Sequence, residues 1–506
     1  MTAPTTADDR AYRFAPIDRT GVLLGLSGAQ CVILGAAIFG AGGLLQVGAH
    51  PLLTLLPLVV GAVVGFGAWE GQHIHRLLPG VAAFQFARTT GRTGWRAPLP
   101  LLTGTDLDLR RQPPLPPFLA GLELFDAGPV GWAPASTGVA VVRDRRERTL
   151  SATLPARGRE FSLLERADQE RILSGWGDVL GGFCTERGPV SRVRVTEWAA
   201  PSGLAAHERF LDAHAHPVNE AARESYEQLL AQAGPMAVTH EVLLTVTVDL
   251  RKVRGRRGER PEDCAVEVLL EELRLLTNRL DAAGLPAGPP LSLATTAAAL
   301  RQRLDPTVAR RLANRRATTL AEAAGLIGPW NAGPLATQAE WDHAVVDGSV
   351  HRTYWIAEWP RLDVPPNWLE PVLLHAGGTR SFSLHYEPVP PSRSQRRIDR
   401  DSTRLAADEE QRSRSGFRIG ARHRRAQHAV VEREAELVAG FHELEYAGFV
   451  TVSAPDLAML DVSCAEYEQV AAQAGLELRA LDGRHDLGLA CSLPLGRGLA
   501  PRRTVL

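Results

Sequence analysis

The sequence predicts a membrane-anchored α+β protein. An N-terminal two-helix transmembrane hairpin should precede a ferredoxin-like α+β cytosolic region in two halves, with a long helical arm. Three observations predict this. Two long apolar runs without charge stand within the first 70 residues, and nothing comparable follows. The remainder switches between apolar periods of two and of 3.6, the patterns by which strands and helices bury one face. Near residue 400 a polar, arginine-rich stretch interrupts that alternation.

The first run, residues 21–43, has 23 residues and no charge. At 1.5 Å per residue it reaches about 35 Å, enough for a hydrocarbon core of about 30 Å. The second, residues 52–69, reaches about 27 Å and spans with some thinning or helical extension. The connector "LLQVGAH" is too short for a domain, so the spans run antiparallel. Arg10, Arg13 and Arg19 precede the pair and Arg76, Arg88, Arg92 and Arg96 follow it, with none between. That asymmetry predicts a multi-pass protein of the cell membrane with both termini cytoplasmic. Small residues four apart, Gly21 and Gly25, Ala36 and Gly40, Gly61 and Gly65, are the expected helix contacts. Gln30 is the expected interhelical hydrogen-bonding group. Two other readings stay open: a cleaved signal peptide, for which Val47, Gly48 and Ala49 satisfy the small-residue rule, and a buried helical pair of a soluble protein.

The expected layout is a cytosolic tail at 1–19, the hairpin at 20–72 and a proline-rich membrane-proximal connector at 73–135. A first α+β half follows at 136–300, then a helical connector at 301–350. The second half covers 351–506 and contains the arm at 392–441. In the first half, Val139 and Val141 alternate before a charged turn, and Leu150, Ala152 and Leu154 alternate after it, a hairpin pattern. Leu163, Leu164, Ile172, Leu173, Trp176 and Leu180 have helical spacing. "VSRVRVTEWA" reads as a strand. "HEVLLTVTVDL" sets Val242, Leu244, Val246, Val248 and Leu250 on one face of another. "CAVEVLLEELRLLTNRLDAAGL" is an amphipathic helix. Helices returning between strands of one sheet give the ferredoxin-like expectation.

The second half partly repeats this order. "VHRTYWIAEWP", "SFSLHYEPV", "EYAGFVTVSA" and "LELRAL" read as strands. "PNWLEPVLLHA" and "PDLAMLDVSCAEYEQVAAQAG" read as helices. From Ser392 to Arg425 the arm holds eleven arginines against five acids. Arg396, Arg397, Arg400 and Arg404 are its expected partner-binding residues. Asp399, Asp401 and the acids at 408–410 interrupt the basic run, so a solvated face is the plainer reading and nucleic-acid contact is not favoured.

The composition excludes several classes. Among 506 residues the net charge is −1, without a bias toward nucleic acid. There is one lysine, Lys252, followed by Val253, so no G-x-x-x-x-G-K-[ST] phosphate loop exists in this sequence. Cys31, Cys184, Cys264, Cys464 and Cys491 are scattered and form no C-x-x-C. In "HERFLDAHAH", His207-Glu208 is followed three residues on by Leu211, so the zinc-protease spacing fails; His207 and His214 could still share a helix face. Asp482, Arg484, His485 and Asp486 read as a polar turn. Trp330, Trp341, Trp355 and Trp359 read as packing around one connector. No enzyme activity, metal or cofactor is expected.

"YRFAPIDRTGVLLGLSGAQ", "WDHAVVDGSVHRTYWIAEWPRLDV", "GFVTVSAPDLAML" and "CSLPLGRGL" resemble a family of membrane proteins encoded beside conjugation ATPases in GC-rich Gram-positive bacteria. The resemblance covers most of the chain and is weakest over 98–134. It implies a PrgI-type two-helix membrane subunit joined to the non-ATPase half of a TrbE/CagE-type protein. The implied function is a non-enzymatic docking component of a type IV secretion-like machine. It would recruit a separate P-loop ATPase encoded nearby, with other membrane subunits, in an oligomeric assembly. Two alternatives remain open: a component of a type VII-like export apparatus, and a membrane-tethered enzyme with an unrecognised site.

Overall fold

Two apolar helices come first. α1 (Gly28–Gln46) starts behind Ser27, whose hydroxyl accepts from the Gln30 amide while the Gln30 side chain accepts from the Ser27 amide. This reciprocal cap fixes the start of the helix. α2 (Pro51–Phe66) has Pro51 in its first turn, where a missing N–H leaves no bond unmade. Both helices differ in extent from the charge-free runs. Two-residue strands β1 (Ala68–Trp69) and β2 (Gln72–His73) pair with each other instead of prolonging α2. The structure, a computed structural model, describes residues 14, 26–69, 72–98, 115–133, 137–158, 161–201, 204–214, 220–233, 237–255, 260–309, 332–414 and 421–498.

The expected connector holds regular structure: α3 (Ile74–Thr89), β3 (Gly94–Arg96) and β4 (Leu122–Asp126). The first half contains β5 (Ala140–Asp144), β6 (Thr149–Ala156), α4 (Arg166–Gly181) and β7 (Val190–Pro201). It continues with α5 (Ala205–His214), α6 (Glu220–Ala233), β8 (Val238–Asp249), α7 (Pro261–Ala282) and α8 (Leu293–Leu304). The stretch expected as a helical connector ends in strands, β9 (Ala336–Ala339) and β10 (Ala344–Val346). The second half contains β11 (Ser349–Glu358), α9 (Glu370–Leu373), β12 (Thr379–Pro388), α10 (Pro391–Arg414) and α11 (Ala421–Val438). β13 (Leu444–Ala454), α12 (Leu457–Gln473), β14 (Glu477–Ala480) and α13 (His485–Ser492) complete it.

Among the described residues the architecture is mixed α/β around one large antiparallel sheet. Its strand order is β3-β9-β10-β11-β13-β12-β7-β8-β6-β5-β4, with β14 also paired to β11. The two halves do not stack face to face. They meet edge to edge, where β12 pairs with β7 from Arg380 opposite Ala199 to Tyr386 opposite Val193.

One face of the sheet is apolar. Leu150, Ala152, Leu154, Leu244, Val246 and Val248 pack against Leu269, Leu273, Leu276 and Leu280 of α7 and Val179 and Leu180 of α4. In the second half, Tyr354, Ile356, Phe382, Val450 and Val452 pack against Leu460, Cys464, Tyr467 and Ala471 of α12. The leucine spacing of α7 keeps one stripe on the sheet. The opposite face is polar, yet it is buried too. Thr153 pairs with Thr245 at 2.9 Å, Thr196 with Ser383 at 3.2 Å and Thr353 with Thr451 at 3.0 Å, a cross-strand series of hydroxyls. α8, α13 and the segment after α13 cover it.

Candidate functional site

The pair α1–α2 shows an apolar exterior. Phe39 is 85% exposed and Leu52 72%, and Leu45, Leu56, Val59 and Phe66 are each more than half exposed. Only 17% of the most apolar 18-residue stretch of α1 is buried, which is not the burial of a soluble core helix. By length and composition α1 is able to cross a membrane; α2, at 16 residues, is a shorter apolar helix.

Small residues make the contact between them. Ala37 and Ala41 of α1 and Gly61 and Gly65 of α2 are buried. A Cβ on Gly61 would lie 2.5 Å from Ala37 Cβ, so only glycine allows that approach. Gly65 faces Ile33. Gln30 Nε2 donates to the Gly65 carbonyl at 2.9 Å, the interhelical bond expected of it. Ala36, in contrast, is exposed, and Gly40 is exposed beside Pro57. The contact on α1 therefore falls one residue later than the expected Ala36–Gly40 pair, on Ala37–Ala41. Gly21 and Gly25 lie outside the described residues.

α3 joins the pair to the sheet. Phe84 is buried and meets Trp341 edge to face at 5.3 Å, and β3 then pairs with β9 at the sheet margin. Phe14 reaches a separate aromatic group, stacked at 5.2 Å on Trp359 and edge-on to Trp368 at 5.3 Å. Trp355 packs elsewhere, against Phe449, Leu481 and Cys491, so the tryptophans do not gather around one connector; Trp330 lies outside the described residues.

The arm is a pair of helices, α10 and α11, tied by Arg433–Asp401 at 3.1 Å. Its base is fixed to the body. Ser392 donates from its amide and hydroxyl to Glu186, and Arg397 forms ion pairs with Glu443 and Glu445 at the start of β13. Arg397 therefore ties the base of the arm to the body. Arg396, Arg400 and Arg404 are exposed.

A third feature was not visible in the sequence. From the last turn of α13 onward the chain crosses the polar sheet face, and side chains from both halves bind its backbone. His385 and Ser383 donate to the Cys491 carbonyl, at 2.9 and 3.2 Å. Arg194 donates to the carbonyls of Leu493 and Arg497, Ser151 to Leu495, and Arg192 to Gly496 at 2.8 Å. Arg497 pairs with Asp144 at 2.7 Å and donates to the carbonyls of Phe118 and Ala120. Gly496 has φ +70°, and a Cβ there would lie 2.5 Å from Ser151 Oγ. A side chain would lift this strap off the sheet.

Electrostatics follow burial. Desolvation pulls Arg194 down to about 10, still charged at neutral pH, with carbonyls as its acceptors. Burial opposes ionisation of Asp144, but the hydrogen bond and charge of Arg497 outweigh it and hold the carboxyl below its ordinary value. Burial lowers His351 to about 4 and His385 in the same direction. His351 Nε2 donates to the Leu304 carbonyl at 3.0 Å and Nδ1 accepts from Ser453 at 2.8 Å, so it is a neutral structural imidazole.

The other sequence candidates are dispersed. His207 bonds Tyr226 at 2.6 Å and His214 bonds the Phe210 carbonyl. His485, expected in a polar turn, is buried at the start of α13, where its Nδ1 accepts from the Thr353 amide. Among the described residues no group of three or more His, Cys, Asp or Glu is placed to hold a metal ion, and none of the five cysteines forms a disulfide. No protein-family model matches this chain, and no curated protein matches it. Sequence reading missed Arg192, Arg194 and Arg497. The available signals were alternating arginines within a strand and an arginine flanked by Gly496 and Gly498.

Proposed function

We propose that this chain is a membrane-anchored docking platform of a conjugation or type IV secretion-like machine, without enzymatic activity of its own. The observation that carries the reading is the α1–α2 pair, whose outward side chains are apolar all round while its contact is built from small residues. Such a pair is stable in lipid and costly in water. As a transmembrane hairpin it places both flanks on one side, and the arginine distribution makes that side cytoplasmic. The strand order β14-β11-β13-β12, with α9 and α12 in the crossovers, supports a ferredoxin-like second half. In the first half β5-β6-β8-β7 supports the same arrangement, with β5 in the place of the last strand.

The partner that performs work is a separate P-loop ATPase, on the resemblance of the sequence to conjugation-associated proteins. Reporter fusions after Arg96 and at the C-terminus test the anchor: both should report cytoplasm, and an external C-terminus rejects the topology. Purification from membranes in mild detergent tests the platform: the ATPase of the same locus should co-purify. A folded, membrane-bound protein that recovers no ATPase rejects the docking role.

A further inference from the structure

α3 begins where the apolar pair ends. The Ile74 amide donates to the Gly67 carbonyl at 2.9 Å, and the β1–β2 hairpin occupies the residues between. The helix then runs for 16 residues, about 24 Å, before β3 enters the sheet margin. Phe84 is its one buried residue, set against Trp341 and beside Gly483. The side away from Phe84 is apolar. Leu78, Ala82 and Phe86 follow at four-residue steps, with Pro79 and Ala83 next to them. Leu78 is 45% exposed and Phe86 61%, and Pro79, Ala82 and Ala83 are exposed as well. From residue 77 to 87 Gln85 is the one polar residue. A helix that led from the membrane straight into water would carry a polar face there.

The charge around this face has one sign. Arg76 precedes it, Arg88, Arg92 and Arg96 follow it, and all four are exposed. The Arg92 guanidinium stands over the Phe86 ring, 5.9 Å from its centroid. No acid occurs from residue 71 to 105. Among the described residues none of the four arginines has a carboxylate partner. Acids do stand on the packed side, but they are turned to other groups. Asp342 pairs with His343 and Arg352, Asp482 faces His485 at 3.7 Å, and Asp486 accepts from the Leu487 amide.

We propose that α3 lies in the membrane surface as an interfacial helix, with Leu78, Ala82 and Phe86 among acyl chains and Arg76, Arg88 and Arg92 on the phosphates of anionic phospholipids. An apolar line with arginines at its margins is the composition of a helix that lies on a bilayer. Long arginine side chains reach from such a helix to the headgroups, and their attraction to anionic lipid falls off within a Debye length. The inference rests on α1–α2 spanning the membrane and goes further. With α3 flat and Phe84 on its other side, the β3–β9 margin of the sheet sits directly on the headgroups.

The test places the full chain in nanodiscs of phosphatidylcholine, alone or with an equal part of phosphatidylglycerol. Spin labels are attached at Ala82→Cys and, separately, at Val59→Cys on the exterior of α2, both with Cys31→Ser; the other four cysteines are buried. The Ala82 label should be open to oxygen and closed to a water-soluble nickel complex, as the Val59 label is, and more so with phosphatidylglycerol. Arg76→Gln, Arg88→Gln and Arg92→Gln combined should lower the preference for spin-labelled phosphatidylglycerol over phosphatidylcholine by about threefold or more. All three side chains are exposed, so melting should match wild type. A Val59 label in lipid with an Ala82 label open to nickel overturns the interfacial helix and leaves the anchor standing. Both labels open to nickel reject the anchor, and the inference with it. An Ala82 label closed to both reagents puts protein on this face and overturns the lipid reading. An unchanged phosphatidylglycerol preference in the triple variant overturns the headgroup contact.

Discussion

Single residues fix how closely the chain packs, and glycine decides it at one point in the α1–α2 pair. Gly61→Val should push α1 off α2, because even a Cβ there overlaps Ala37. We expect a loss of about 1–3 kcal/mol in the helix contact, read by disulfide trapping between α1 and α2 in membranes. Gly65→Ala should be tolerated, since its Cβ would meet Ile33 at an ordinary 4.0 Å. Equal trapping for Gly61→Val and wild type would show that the pair does not pack at this point. The buried histidines set a pH response. Folded His351 has its pKa lowered to about 4, below the 6.5 of the exposed group. Below about pH 6.5 the unfolded chain therefore takes up a proton that the folded chain refuses, and stability falls as pH falls. At pH 5 the loss is about 2 kcal/mol for this residue, from about 1.4 kcal/mol per unit. Melting temperature measured from pH 7.5 to 5 should decline, and His351→Gln should flatten the slope. The small-residue pairs were only half legible. Gly61 and Gly65 lie buried beside α1, but α1 has glycine and alanine on every side, so spacing could not single out Ala37 and Ala41.

At the level of elements, the arm separates structural from available charge. Arg397→Glu should free the base of α10, because two glutamates, Glu443 and Glu445, would face a third carboxylate. Hydrogen exchange over 391–400 should rise strongly. Arg396→Glu and Arg400→Glu, on the exposed side, should stay within about 0.5 kcal/mol of wild type. Similar exchange in all three variants would remove Arg397 from the base. The strands were the most legible elements. Period-two runs such as Val242 to Val248 carry their own evidence, and those side chains do form the core. The same alternation misled on the other face. Thr245, Thr247 and Thr153 look like solvent positions but are buried, because their cover, α8, α13 and the strap, is far away in sequence. α3 and β3 were missed for a related reason: β3 has three residues, and its pairing partner β9 is more than 200 residues away.

Taken as one molecule, the two halves are joined by the β12–β7 pairing, by the Ser392–Glu186 bonds and by the strap, which follows α13 of the second half and is held by Ser151, Arg192 and Arg194 of the first. Unfolding of the sheet region should therefore be a single transition by calorimetry, with one melting temperature for probes in either half. Gly496→Val, which displaces the strap, should separate the transitions or lower them together. Two well-resolved transitions in wild type would mean that the halves are energetically independent. The strap also dictates an order of events during synthesis. Arg194 must wait 299 residues for the Leu493 carbonyl that accepts its proton. At bacterial elongation rates of about 5–20 residues per second, that wait is about 15–60 seconds. Throughout it, the polar face of the first half stands open to water on the ribosome while its apolar face can already close over α4 and α7. The nascent chain is thus a half-dressed sheet, soluble on the side that will later be interior. The emergence of residues 493–498 decides when two separately formed halves become a single body.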